Sequence, residues 1–138
     1  RLVQARVSPG LDRQRVHFRV GDAMNLPEDV GTFDLVLAAN LLCRLADPER
    51  FLSRLPELVR RGGQLLVTTP FTWLEEFTSR GKWLGGRREE GTRSFEALKE
   101  NLDWHFELQL TRDLPFLIRE HERKFQYGIA IGCRWVRR

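Results

Sequence analysis

The sequence predicts a single α/β domain with mostly parallel strands and one antiparallel strand at its end. Three observations point there. The run Phe33–Ala39, FDLVLAA, is apolar at almost every position, as in a strand buried on both faces. A helix signal, a Gly-Gly turn and a second apolar run at 64–69 follow it, which makes a βαβ unit with parallel strands. Near the C-terminus, Phe125, Tyr127, Ile129, Ile131, Cys133 and Trp135 alternate with other residues in the longest period-two run of the chain.

The 138 residues suffice for one core and one domain, residues 1–138. Hydrophobic residues make up 41% and charged residues 30%, an ordinary balance for a globular chain in water. No stretch approaches the roughly 18 apolar residues of a membrane span, and no signal-peptide pattern opens the chain. The net charge of +4 comes from 23 basic residues scattered among 19 acids, with no single basic stripe for nucleic acid. Cys43 and Cys133 lie far apart without metal-ligand companions, so reduced thiols, no metal and a cytoplasmic setting are expected.

Taken in order, residues 1–15 read as the tail of a helix and a turn at Pro9 and Gly10, so the domain is expected to be truncated at its N-terminus. In residues 16–20, Val16, Phe18 and Val20 alternate as a short strand. Gly21, Asp22, Ala23 and Met24 follow at its end, where Asp22 is a turn or cap residue on spacing alone. The strand at 33–39 stops on a polar residue, Asn40. Ligands of open parallel sheets bind beyond the carboxyl ends of strands, so Asn40 marks the site face.

A helix over 48–60 is predicted by Asp47 as N-cap, Pro48 at the first position and Glu49 in the first turn. Phe51, Leu52, Leu55, Leu58 and Val59 share one face, Pro56 interrupts the ladder, and Gly62 and Gly63 end the helix. The strand at 64–69 ends at Thr68, Thr69 and Pro70, which brings Trp73, Glu75 and Glu76 to the face of Asn40. Residues 79–93, rich in glycine and charge, read as a loop of the lid or binding type. Ser94 caps a helix over 94–103 with Phe95, Leu98 and Leu102 inside. Strands at 106–112 and 125–136 pair antiparallel, because the linker between them is too short for a crossover helix.

The succession GDAMNLP, FDLVLAANLLCRL and LVRRGGQLLVTTP resembles the second half of a class I S-adenosyl-L-methionine-dependent methyltransferase. The segments NLLCRL, TTPFTWLEEFTSRGKWLGG and DLPFLIREHERKFQYGIAIGCRWVRR are similar to the 4-mercaptohistidine N1-methyltransferase family, over nearly the whole chain. That family forms the methyltransferase part of ovothiol biosynthesis, often fused to an iron-dependent sulfoxide synthase.

The resemblance implies an N-methyltransferase that uses S-adenosyl-L-methionine on the imidazole of a thiolated histidine. Asp22, Ala23 and Met24 would lie near the adenine, and Asn40 beside the methyl group. The family's strand order, 3-2-1-4-5-7-6, carries a Gly-rich cofactor loop after its first strand. No such loop stands in the opening residues, so the first two strands are expected to be absent and the 138 residues alone to bind the cofactor weakly.

For the acceptor, Asn40, His121 and Tyr127 are candidates to orient or deprotonate the imidazole. Arg119 suits the substrate carboxylate; Trp73, Glu75 and Glu76 are further substrate candidates. Each has a plainer reading: His121 as a solvated loop histidine, Glu75 and Glu76 as a helix-start charge pair, Tyr127 as a sheet residue, Trp73 and Trp83 as packing. A class I methyltransferase for another small acceptor, or a non-catalytic module that needs further residues, fits the same motifs.

Overall fold

A computed structural model describes residue 4, residues 6–86 and residues 92–138. Four strands, β1 (Phe33–Ala39), β2 (Val59–Thr69), β3 (Phe106–His121) and β4 (Lys124–Arg137), form one sheet in the order β1-β2-β4-β3. β1 and β2 run parallel; β4 is antiparallel to both β2 and β3. Helix α1 (Pro48–Leu58) joins β1 to β2, and α2 (Thr92–Leu102) precedes β3.

The register fixes which face is covered. Val36 and Ala38 of β1 lie beside Leu65 and Val67 of β2, which face Trp135 and Cys133 of β4. These residues join Phe51, Leu52, Leu55 and Leu58 of α1 and Leu98 and Leu102 of α2 in one cluster. Leu35 and Leu37 point to the other face of the sheet and stay exposed. The apolar run of β1 is therefore buried on one face only, contrary to its reading as a fully enclosed strand, because both helices sit on the same side.

The expected strand at 16–20 does not form. Val16, Phe18 and Val20 are all exposed, and no strand neighbours them among the described residues. An isolated extended segment gains no ladder bonds and stays single. The helix predicted over 48–60 stops at Leu58, because Val59 turns extended while its N–H still caps Leu55. Gly62 and Gly63 belong to β2 rather than to the helix end, at a register shift between Phe33 and Leu35. Gly62 has a φ of +73°, and a Cβ on Gly63 would stand 2.8 Å from the Arg60 carbonyl oxygen and 3.0 Å from that of Asp34. Both glycines are thus required by the backbone.

The segment read as a lid is a mostly exposed strap pinned to the core at Trp83 and Leu84. Trp83 and Leu84 join the core, Trp83 Nε1 donates to the Thr78 carbonyl (2.8 Å), and Thr78 Oγ1 donates to the Leu45 carbonyl (2.6 Å). Residues 87–91 lie outside the described residues. Ser94 lies inside α2 rather than capping it, and its hydroxyl bridges Trp73 and Leu84. β3 continues to His121, absorbing most of the expected linker: Leu114, Phe116 and Ile118 keep the alternation, and Pro115 is tolerated because β3 is an edge strand.

Two buried groups mark the core's chemistry. Burial pushes the Cys133 thiol up to about 11, so it behaves as an inert apolar group. Trp135 is fully enclosed and its Nε1 has no hydrogen-bond partner among the described residues, at a cost of about 1–3 kcal/mol. No helix among the described residues is long and apolar enough to cross a membrane.

Asp47 closes the N-terminus of α1. Its Oδ1 accepts the Arg50 N–H (3.1 Å) and its Oδ2 accepts Lys82 Nζ (2.7 Å). The Lys82 hydrogen bond, then that of Arg50, holds the carboxyl below its ordinary value. A depressed folded-state pKa stabilises the fold above about pH 4, and the contribution is lost as pH falls through the folded value. We expect Asp47→Ala to cost about 1 kcal/mol in urea unfolding at neutral pH. Asp47→Asn keeps a cap but loses this acid-side dependence, which unfolding curves measured from pH 7 down to 3 will show.

Candidate functional site

β1 and β2 end level with each other, and the chain distorts just beyond both. Ala39 pairs with Thr68, and the next residue, Asn40, takes a left-handed φ of 50°. One residue past the pairing end of β2 and Pro70, Phe71 takes a φ of 49°. Asparagine tolerates this region, whereas a phenylalanine there is strained and persists only when its surroundings hold it. The Phe71 N–H is held by Thr69 Oγ1 (3.1 Å).

Thr68 fixes Asn40 twice. The Asn40 N–H donates to the Thr68 carbonyl (2.8 Å) and lies 3.1 Å from Thr68 Oγ1. The same hydroxyl donates to Asn40 Oδ1 (3.0 Å). The carboxamide oxygen is thereby turned toward β2. Its Nδ2 has no partner among the described residues and is available as a donor to a ligand.

A cleft of about 260 Å³ opens at this point. Asn40, Cys43 and Arg44 form its floor with Pro70 and Thr72, and the far end of the β3–β4 hairpin forms its wall through Phe116, Ile118, Gln126 and Tyr127. β2 pairs with β4 only from Ile131 onward, so the hairpin outgrows the sheet and overhangs the strand ends. Phe116 crosses β4 at Gly128, where a Cβ would lie 2.5 Å from the ring. Arg44 stacks over the Phe77 ring, 4.7 Å from its centre, which leaves a cation at the cleft edge.

Of the candidate residues, the structure brings Asn40 and Tyr127 into one cleft. Arg119 and His121 stand at the hairpin tip instead. His121 pairs with Lys124, about 10 Å along the strand from Tyr127 at the usual rise per residue. His121 Nδ1 accepts the Arg123 N–H (3.2 Å) and its carbonyl accepts Arg119 Nε (3.3 Å), so both side chains are engaged in the tip. Extending β3 through the presumed linker carried them outward.

Trp73 is 4% exposed and donates from Nε1 to Ser94 Oγ (3.2 Å), which makes it a core residue and not a cleft residue. Glu75 and Glu76 lie in a turn rather than a helix; Glu75 pairs with Arg80 and Glu76 is exposed. Asp22 is exposed and its Oδ1 accepts the Met24 N–H (2.9 Å), an Asx turn. Ala23 and Met24 pack half-buried against the core. Met24 lines a separate shallow recess with Arg50 and Ser53 of α1, and that recess does not include Asn40. Sequence reasoning missed Cys43, Arg44, Thr72, Phe116, Ile118 and Gln126 as site residues; Phe116 and Ile118 had a signal in the longer alternation of β3, which the proline masks, and the other four carry none.

Comparison with known proteins agrees with this architecture. A family model for a methyltransferase domain matches residues 2–67, just under half of the chain. Norajmaline N-methyltransferase of Rauvolfia serpentina is 37% identical over 54 residues, 39% of this chain. The matched stretch spans 18% of that enzyme's length. A SAM-dependent methyltransferase from Methanosarcina mazei superposes with a TM-score of 0.62 at 18% identity, covering 94% of this chain and 72% of the other. The N-methyltransferase NodS from Bradyrhizobium japonicum, solved with S-adenosyl-L-homocysteine, gives a TM-score of 0.52 at 13% identity, over 85% and 52% of the two chains. The fold is therefore that of SAM-dependent methyltransferases.

Thr68→Val removes one hydroxyl and keeps the shape. We expect it to shift the Asn40 side-chain amide resonances in a 15N-correlated NMR spectrum and to cost about 1 kcal/mol. Thr68→Ser retains the hydroxyl and leaves those resonances near their original positions.

Proposed function

We propose that the chain is part of an S-adenosyl-L-methionine-dependent N-methyltransferase and carries its acceptor side. The observation that bears most of this reading is the cleft at the ends of β1 and β2, roofed by the hairpin. The methyltransferase-domain match and the fold of the neighbours support the reaction class and the cofactor. At about 260 Å³ the cleft falls below the roughly 300–1,000 Å³ of ligand pockets. It suits an acceptor of amino-acid size and not an acceptor together with a nucleoside cofactor. The open outer edge of β1, beside exposed Leu35 and Leu37, is where the two further strands implied by the sequence resemblance would pair. The ribose and amino-acid tail contacts would come from there, with Asp22, Ala23 and Met24 near the base and Asn40 near the methyl-bearing end.

The bound cofactor supplies an electrophilic methyl group on a sulfonium. The chain's own task is to hold a nitrogen lone pair in line and to exclude water. Asn40, pinned by Thr68 through its oxygen, lines the cleft with its Nδ2 uncommitted, and Phe116, Ile118 and Tyr127 supply apolar and aromatic surface suited to a flat ring. The acceptor nitrogen would gain an N–C bond as the S–C pair stays with the departing thioether, and the imidazolium so formed would lose its remaining N–H proton to solvent, with the Tyr127 hydroxyl placed to orient the ring by a hydrogen bond.

The finer reading is that the acceptor is the imidazole of 4-mercaptohistidine, with an iron-dependent sulfoxide synthase as fused or partnering supplier. Its support is the sequence similarity of the TTPFTWLEEFTSRGKWLGG and hairpin segments. For such an acceptor Arg44 replaces Arg119 as carboxylate partner, because Arg44 lines the cleft. Another small nitrogen acceptor is the second reading, favoured by the alkaloid N-methyltransferase relative. A methyl-transfer assay on the full-length protein with 4-mercaptohistidine, histidine and unrelated amines, read by mass spectrometry, separates them. Methylation of the thiolated histidine alone is the expected result; no transfer to any amine would refute the proposal. We further expect Arg44→Met to raise KM for a carboxylate-bearing acceptor about ten- to a hundred-fold with kcat little changed, the loss of one charge-assisted contact.

A further inference from the structure

β3 lies at the sheet border, and among the described residues its outer edge is unpaired. Bulges guard it at both ends, between Leu108 and Leu110 and between Arg119 and His121, yet the stretch between them is regular. Leu114, Leu117 and Ile118 in that stretch are 37%, 63% and 49% exposed. A long, regular edge with exposed apolar side chains is a template for another strand.

The sequence of this edge is complementary to itself. Residues 112–120 read Arg-Asp-Leu-Pro-Phe-Leu-Ile-Arg-Glu. Placed antiparallel to a copy of itself about a two-fold axis at Phe116, Asp113 faces Arg119 of the second copy and Leu114 faces Ile118. Pro115 then faces Leu117, and Arg112 meets Glu120 at the bulge. Opposite residues share a face in this register, as an antiparallel pair requires. Among the described residues, neither Asp113 nor Arg119 has an ion-pair partner in its own chain, whereas Glu120 already pairs with Lys124. A partner of different sequence would not require this reversal symmetry of charge.

We propose that the free edge of β3 pairs with the same edge of a second copy of this chain, antiparallel and centred on Phe116. The contact is isologous, so each apolar or charged pair occurs twice except the Phe116 pair on the axis. Pro115 offers no N–H, so the ladder is short of donors and the side-chain pairs set the register. Because Phe116 and Ile118 also line the cleft, the second copy would stand beside its mouth.

The test is sedimentation velocity on the full-length protein over a range of concentrations, with circular dichroism to verify folding. The wild type is expected to form dimers that weaken as salt rises. Asp113→Arg sets like charges opposite each other twice and should weaken the dimer about tenfold or more. The double variant Asp113→Arg/Arg119→Asp inverts both pairs and should restore it, which a merely misfolded hairpin would not do. A wild type monomeric at every concentration overturns the proposal. So does a dimer that survives Asp113→Arg unchanged, which would place the interface elsewhere.

Discussion

The parallel pairing of β1 with β2 is the constraint on which the rest depends. Its register sets Ala39 opposite Thr68, and one further backbone bond carries it to Asn40. That single step past the strand end turns the chain left-handed and ties the Asn40 carboxamide oxygen to Thr68 of β2, leaving its Nδ2 uncommitted. A shift of one residue would place Asn40 beside another partner and exchange the buried and exposed faces of both strands. The Gly62–Gly63 distortion absorbs the extra residues of β2 before the regular ladder begins, and so protects the register further on.

The second determinant is a mismatch of lengths. β1 and β2 stop where the site begins, but β3 and β4 continue. The overhang makes a wall from a hairpin that needs no help from the helices. It is braced by Leu114 and Phe116 lying across Gly132 and Gly128, where any Cβ would collide with them. The cleft therefore has a rigid floor of strand ends and a wall supported mainly along one border.

Much of this was legible in the sequence because it is local. The cap at Asp47, the apolar run of β1 and the alternation of β4 each follow from residues close together. What was not legible depended on partners distant in the chain. Phe33 to Ala39 looks enclosed on both faces, but only the placement of both helices on one side decides that Leu35 and Leu37 stay exposed. Val16, Phe18 and Val20 alternate as well as many strands do, yet no strand among the described residues receives them. Pro115 reads as a break and proves harmless because β3 lies at a border. Within the site, Asn40 stood out as a polar residue ending an apolar run. Arg44 and Gln126 carry no such mark, and Arg119 and His121 were drawn inward by a linker that turned out to be strand.

The order of strands has a kinetic consequence. β3 and β4 are joined at His121 and Lys124 by a two-residue turn, so they can zip in microseconds once the turn closes. β4 must then find β2, whose partner residues Gln64 to Thr69 lie in the other half of the chain, across the strap and α2. Until that search succeeds, the hairpin exists as a two-stranded ribbon with both borders open and Trp135 still in water. Assembly of the β2–β4 seam is thus the slow event, and the burial of Trp135 between β2 and β3 makes its fluorescence a natural clock for it.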